Sequence, residues 1–104
     1  MQRAELLERI IQTVHEVEPE ADIVLYGSRA RDEAHAESDW DFLILLDGVV
    51  DDARTDAIRH RLYEIEWDCG EVLCSIVRSR QEWGSSLYQV TPFAKLLREQ
   101  GIRV

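Results

Sequence analysis

The stretch Gly27-Ser28-Arg29-Ala30-Arg31, followed through a polar crossover by Ser38-Asp39-Trp40-Asp41-Phe42-Leu43-Ile44-Leu45-Leu46, decides how the rest of the chain is read. Before it, Ile23-Val24-Leu25-Tyr26 is an apolar and aromatic run of the kind that forms a buried strand, opened by Asp22. Gly27-Ser28 breaks that strand, and Ser28 can cap a short helix begun by Arg29-Ala30-Arg31. A glycine at this point lets a ligand come close to the backbone, and the N–H groups of a helix start suit a phosphate. Residues 29–38 separate Ser28 from Asp39-Trp40-Asp41. Residues two apart in a strand share a face, so both carboxylates are expected to point the same way. At about 6 Å and an effective dielectric near 20 they repel by roughly 3 kcal/mol. Packing alone does not offset that cost. A divalent cation between them reverses its sign, and Mg²⁺ is the usual guest of carboxylates that also face phosphates.

The totals narrow the field. A chain of 104 residues is read as one domain, residues 1–104, able to bury about two-thirds of the surface its unfolded form exposes. No apolar stretch approaches a membrane span, and the charged start Met1-Gln2-Arg3-Ala4-Glu5 is no signal peptide, so the expected address is cytoplasmic. A net charge of −9 repels a phosphate backbone, which argues against stable nucleic-acid binding. Cys69 and Cys74 form neither a redox nor a metal motif and are read as buried or half-buried thiols.

Taken in order, residues 3–17 predict an amphipathic helix with Leu6, Leu7, Ile10, Ile11, Val14 and Val17 on one side and His15 solvated. Glu18-Pro19-Glu20 ends it. In the second strand Trp40, Phe42, Ile44 and Leu46 share one face while Leu43 and Leu45 follow the aspartates on the other. Apolar residues on both faces predict a central strand. Asp47-Gly48 is a turn. Asp51-Asp52 opens a second long helix, suited to the positive end of its dipole, and Asp68-Cys69-Gly70 closes it. Ala53, Ala57, Ile58, Leu62 and Ile65 form its expected buried stripe, with Arg54, Arg59 and Arg61 exposed. Glu71–Val77 is the third strand. Ser79 caps a short helical turn through Trp83, and Gly84-Ser85-Ser86 is loop. Thr91-Pro92 starts a last helix that ends before Gly101, and Ile102-Arg103-Val104 closes the chain as a terminal strand.

Gly27-Ser28, ten residues, then Asp39-x-Asp41, with strands on both sides, resembles the signature of the nucleotidyltransferase superfamily that includes DNA polymerase beta. The small size is similar to its minimal branch, the MNT proteins paired with a HEPN partner in prokaryotic toxin–antitoxin modules. The resemblance implies an α/β (α+β) fold, a small mixed sheet like the polymerase palm with helices packed against it. It also implies transfer of a nucleoside monophosphate, AMP from ATP, to a hydroxyl, with Mg²⁺ or Mn²⁺. On it, Asp39 and Asp41 are the catalytic, metal-holding acids, and Gly27 and Ser28 hold the β and γ phosphates. Arg29, Arg31 and Ser38 join the nucleotide-binding set, although each arginine can equally balance nearby acids. Family members place another glycine near position 32; Asp32 departs from that, and His35 is read as loop surface.

The third acid of the family is missing. Alignment of the third strand puts Ser75, or else Cys74, at that position, and a hydroxyl is a poor substitute for an anionic ligand or a base. Glu71 lies two pleats away, about 13 Å along a strand. Glu66 and Asp68 serve only if the loop folds back. Three readings stay open: an enzyme working with two carboxylates, a site completed by a displaced acid or a partner, or a domain that binds nucleotide or partner without turnover. The leading functional expectation is an antitoxin that modifies a HEPN-domain toxin, whose basic surface an acidic chain would fit. Its rivals are a non-catalytic module neutralising by contact and a transferase acting on a small cationic antibiotic. Homo-oligomerisation is compatible with either.

Overall fold

The computed structural model describes residues 3–27, 29–30 and 39–104. Along them the chain runs α1 (Arg3–Val17), β1 (Asp22–Tyr26), β2 (Trp40–Leu46), α2 (Asp52–Cys69), β3 (Leu73–Ser79), α3 (Arg80–Trp83), α4 (Ser86–Gln89), α5 (Pro92–Gln100) and β4 (Ile102–Arg103). The strands make one mixed sheet in the order β3-β2-β1-β4. β1 pairs antiparallel with β2 and β4, and β2 pairs parallel with β3. A parallel pair needs a long crossover, and α2 supplies it. This is the α/β architecture the sequence implies, with β2 a central strand.

Alternation along β2 divides the sheet's two faces. Trp40, Phe42, Ile44 and Leu46 are buried with Leu6, Ile10 and Val14 of α1 and Ile58, Leu62 and Ile65 of α2. The opposite pleat carries Asp41, Leu43 and Leu45, beside Tyr26 and Val24 of β1. There Tyr26 meets Phe93 of α5 edge-on at 5.2 Å between ring centroids, and Leu43, Ala94 and Leu97 are buried. The acids therefore stand at one end of β2, where the helix cover of their face gives out. Among the described residues no helix is long and apolar enough to cross a membrane.

α1 has the expected bounds, but His15 is half-buried rather than solvated, its Nε2 2.9 Å from the carbonyl oxygen of Ala21. α2 is capped by the Asp51 carboxylate, which accepts from Arg54 N–H, and closed by left-handed Gly70, whose N–H reaches Glu66 C=O. Its buried stripe is narrower than expected: Ala53 and Ala57 are exposed, and only Ile58, Leu62 and Ile65 are buried. Arg54 is not exposed either. Its guanidinium forks onto Glu18 at 2.7 and 2.9 Å and closes on the carbonyls of Asp47 and Val49. Periodicity alone could not anticipate a carboxylate arriving from just past the end of α1.

β3 begins two residues later than the sequence predicts, because Glu71 turns aside to accept from Trp40 Nε1–H at 2.9 Å. Residues 84–86 are not all loop: Ser85 caps α4. Ser79 and Thr91 cap α3 and α5, and β4 pairs with β1, all as expected. Cys69 and Cys74 are free and half-buried.

Candidate functional site

The end of β1, the start of β2 and the start of β3 meet at one place. Tyr26 is the cross-strand partner of Asp41, so Gly27, the next residue, turns the chain directly beside that carboxylate. Gly27 has φ 76°, and a Cβ added to it would lie 2.6 Å from Asp41 Oδ2. Only glycine satisfies both the left-handed backbone and the close approach. The bend and the acid that the sequence treats as two halves of a site are thus in contact. Ser28, Arg31, Asp32, His35 and Ser38 lie outside the described residues.

Asp39 and Asp41 share their surroundings. Cys74 is in register with Asp41 across the parallel pair, and its thiol donates to Asp39 Oδ2 at 3.9 Å. Burial, then the charge of Asp39, raises the pKa of Asp41. Burial, then Asp41 and Cys74, raises that of the Tyr26 hydroxyl. Burial raises that of Cys74, reinforced by the charges of Asp39, Asp41 and Glu66 and by the thiol's hydrogen bond to Asp39. All three shifts act against negative charge, so a protonated phenol and a protonated thiol border the acid pair at neutral pH.

The strand register also sorts the candidates for a third acid. Ser75 pairs with Phe42, on the pleat that faces α1 and α2, while Cys74 pairs with Asp41. The β3 side chain that reaches the acids is that of Cys74 and not, as the alignment preferred, Ser75. Glu66 needs no loop to fold back: the last turns of α2 bring its carboxylate to Leu73 N–H at 2.9 Å, close enough to influence Cys74. Asp68 is held by Arg9 at 2.6 Å. Glu71 binds Trp40 and meets Arg29 at 3.3 Å. Arg29 stacks over the Trp40 ring, its guanidinium carbon 4.6 Å from the centroid. Of the two roles open to Arg29, the visible one is balancing an acid.

Sequence reasoning missed Tyr26 as a neighbour of the acid pair and named Cys74 only after Ser75. Tyr26 was legible, since it directly precedes the bend at the end of the strand that pairs with the acids' own. The choice of Cys74 over Ser75 was not, because both pleats of β3 mix polar and apolar residues and hydropathy leaves their assignment undecided.

The donor set suits a hard cation. Two carboxylates supply the oxygen ligands that such a cation prefers. Among the described residues no three His, Cys, Asp or Glu side chains converge into a metal cage. Water and substrate phosphates would have to complete the shell, which is how Mg²⁺ is ordinarily held.

Comparisons with known proteins agree with this geometry. The model of the nucleotidyltransferase domain family matches residues 7–85. Among curated protein sequences none matches. Among the solved structures that share the fold are two toxin–antitoxin complexes. One is a toxin–antitoxin complex with AMP-PNP, 18% identical over 92% of this chain and 69% of that one, with a TM-score of 0.65. The other is a toxin–antitoxin complex, MntA–HpeT, in a mutant form with two aspartates changed to glutamate. It is 15% identical over 92% of this chain and 69% of that one, with a TM-score of 0.63. With the family model spanning α1 to the start of α4 and enclosing Gly27, Asp39 and Asp41, the chain belongs to the nucleotidyltransferase domain family.

Proposed function

We propose that the chain is a minimal nucleotidyltransferase that moves AMP from Mg-ATP to a hydroxyl of a HEPN-type toxin, and that this makes it the antitoxin of a pair. The observation that carries the reading is the Asp39–Asp41 pair: two carboxylates at the mouth of the sheet, against a glycine bend, with no arginine or lysine bridging either among the described residues. Support for the setting comes from the two toxin–antitoxin complexes that share the fold, one of them holding AMP-PNP. The acidic surface, net −9, fits a basic, RNA-cutting partner.

In this mechanism the chain mainly positions. Gly27, having no side chain, leaves the backbone open to the β and γ phosphates, with Ser28, Arg31 and Ser38 as further contacts. Asp39 and Asp41 hold a divalent cation, which supplies charge neutralisation to the triphosphate and its leaving pyrophosphate when bound. Tyr26 and Cys74, kept protonated, border the site without adding negative charge to it. The acceptor hydroxyl attacks the α-phosphorus in line, the bond from that phosphorus to the oxygen bridging the β-phosphate breaks and releases pyrophosphate, and the hydroxyl proton passes to water.

A second reading has its own observation. Cys74 stands in register with Asp41, where a third acid would complete the site, so a domain that neutralises its partner by contact is the alternative. Labelled ATP, Mg²⁺ and the toxin separate the two. The transferase reading expects label on the toxin, lost in Asp39→Asn and Asp41→Asn along with neutralisation. Neutralisation that survives both substitutions establishes the contact reading instead.

A further inference from the structure

The bend at Gly27 is tied down by a cluster centred on the pleat opposite the acids. Ala30 N–H donates to Gly27 C=O at 3.1 Å, and the Ala30 side chain packs against the core. Next to it Arg29 is gripped in three ways. Its carbonyl accepts from the Arg3 guanidinium at 2.9 Å. Its own guanidinium lies over the buried Trp40 ring, 4.6 Å from the centroid, and donates to Glu71 Oε1 at 3.3 Å. Arg3 approaches the same ring, at 5.9 Å.

Glu71 is the common member. Its Oε2 accepts from Trp40 Nε1–H at 2.9 Å while Oε1 takes Arg29. One carboxylate thus joins the residue between the two aspartates to the residue two places past the glycine. The sheet sets its position, since Trp40 N–H bonds the carbonyl of Val72, the next residue, at 2.9 Å. A buried indole needs a single acceptor, which a carbonyl can supply; a carboxylate adds the charge that holds Arg29 too. The side chains of Arg29 and Glu71 are only 14% and 29% exposed, so solvent screens them less than a surface pair.

The bend and the acid strand therefore meet at two neighbouring points. Gly27 lies against Asp41, where a Cβ would come within 2.6 Å of Oδ2, and Arg29 lies on Trp40. One contact alone leaves the bend free to swing about it; two fix its angle to the acids. We propose that Glu71 is the positioning residue of this bend: by holding Trp40 and Arg29 together it keeps the backbone after Gly27 in the form that receives the triphosphate, a role that rests on the function proposed above. Among the described residues Glu71 bonds neither aspartate. Such preordering lowers the entropy lost when a ligand binds. The β and γ phosphates are held alike before and during attack at the α-phosphorus, so losing the brace raises KM and spares kcat.

The test compares the full chain with Glu71→Ala and Glu71→Gln. In the nucleotide-free protein, amide exchange at Ala30 reads the bend, because that N–H bonds Gly27 C=O. Exchange should quicken by about tenfold in Glu71→Ala and about threefold in Glu71→Gln, whose amide oxygen still accepts one of the two donors. Calorimetry with Mg²⁺ and α,β-methylene-ATP, whose bridging carbon blocks transfer, then reads affinity. Kd should rise by the same factors, KM for ATP should follow, and kcat should stay within about twofold of the parent. General damage to the fold would lower kcat through the active fraction and leave Kd unmoved. Unchanged Kd, unchanged Ala30 exchange, or a kcat that falls as far as KM rises overturns the proposal. So does tighter binding, which would mean that Glu71 withholds Arg29 from the phosphates. Should Glu71→Ala fail to fold, the smaller shifts of Glu71→Gln decide alone. A parent that binds no analogue refutes the nucleotide reading instead, while Ala30 exchange still shows whether Glu71 orders the bend.

Discussion

The two ends of the sheet treat their carboxylates in opposite ways. Where β1 begins and β2 finishes, Asp22 takes Arg80 at 3.1 Å and also Arg103, and Arg80 reaches Asp47 as well. Glu18 holds the fork of Arg54 nearby. The hydrogen bond from Arg54 lowers the pKa of Glu18. Burial is the largest single influence on Asp22 and pushes upward, but the bonds and charges of Arg80 and Arg103 together carry its pKa down. At the other end Asp41 has Asp39 for a neighbour, and its pKa goes up. A chain with eleven arginines had the means to neutralise both ends and, among the described residues, did so at one. Acids that hold the fold together are paired; those proposed to face a ligand have, among the described residues, only each other's charge for company.

Asp41→Asn tests this contrast with the largest effect. AMP transfer should fall by roughly 10³-fold or more, since the substituted amide cannot replace an anionic oxygen at the phosphates. Metal-free stability at pH 7 should stay level or rise, because a carboxylate whose charge the fold disfavours has gone. Thermal melting in chelator, beside a transfer assay, reads both. A variant that melts earlier than the parent would show that Asp41 is structural after all.

Gly27→Ala comes next. The methyl would enter at 2.6 Å from Asp41 Oδ2 on a backbone with φ 76°. The bend must shift or the carboxylate must turn away. A loss of about 1–2 kcal/mol in stability is expected from the left-handed backbone. Transfer should drop by roughly 10²-fold as the acid is misplaced. Added Mg²⁺ should stabilise the parent measurably and this variant less.

A gain of function sharpens the same point. Cys74→Asp puts a third carboxylate in register with Asp41, and turnover should rise by roughly tenfold in saturating Mg²⁺. Stability in chelator should fall, because three acids then crowd one corner. Ser75→Asp points to the other pleat and should not raise turnover. Equal gains from both would mean that the register of β3 does not decide which side chain serves the site.

How far the sequence foretold this depends on range. The bend, the acid pair and the central strand were legible because each is written in neighbouring residues: a glycine between strands, a period of two, apolar residues on both faces. The third strand's contribution was not, since Leu73-Cys74-Ser75-Ile76 alternates without a clear apolar side and a shift of one residue exchanges Ser75 for Cys74 beside Asp41. Arg54 was misjudged as exposed for a related reason. Glu18 lies 36 residues from it, and only the packing of α1 beside α2 brings the two together. Local periodicity sees a helix face, not what arrives to cover it.

The smallest expected effect lies at the paired end and concerns sign. The folded pKa of Asp22 sits below its ordinary value of 3.8, so its stabilisation is fully present above that value and is lost as pH falls through the lower, folded one. Asp41 runs the other way: raised in the fold, it favours the folded state in acid and loses that contribution as pH rises through its folded value. Acidifying the metal-free protein from pH 7 should therefore first relieve Asp41 and only afterwards break the pairs of Asp22 and Glu18. Asp22→Asn should cost about 1 kcal/mol at pH 7, modest because solvent screens a partly exposed pair, and should flatten the acid limb of the melting curve. Asp41→Asn should instead remove the gain that precedes that limb. Opposite distortions of one pH profile, from aspartates at opposite ends of one sheet, are what a divided use of carboxylates requires; parallel distortions would mean that both ends serve the fold alike.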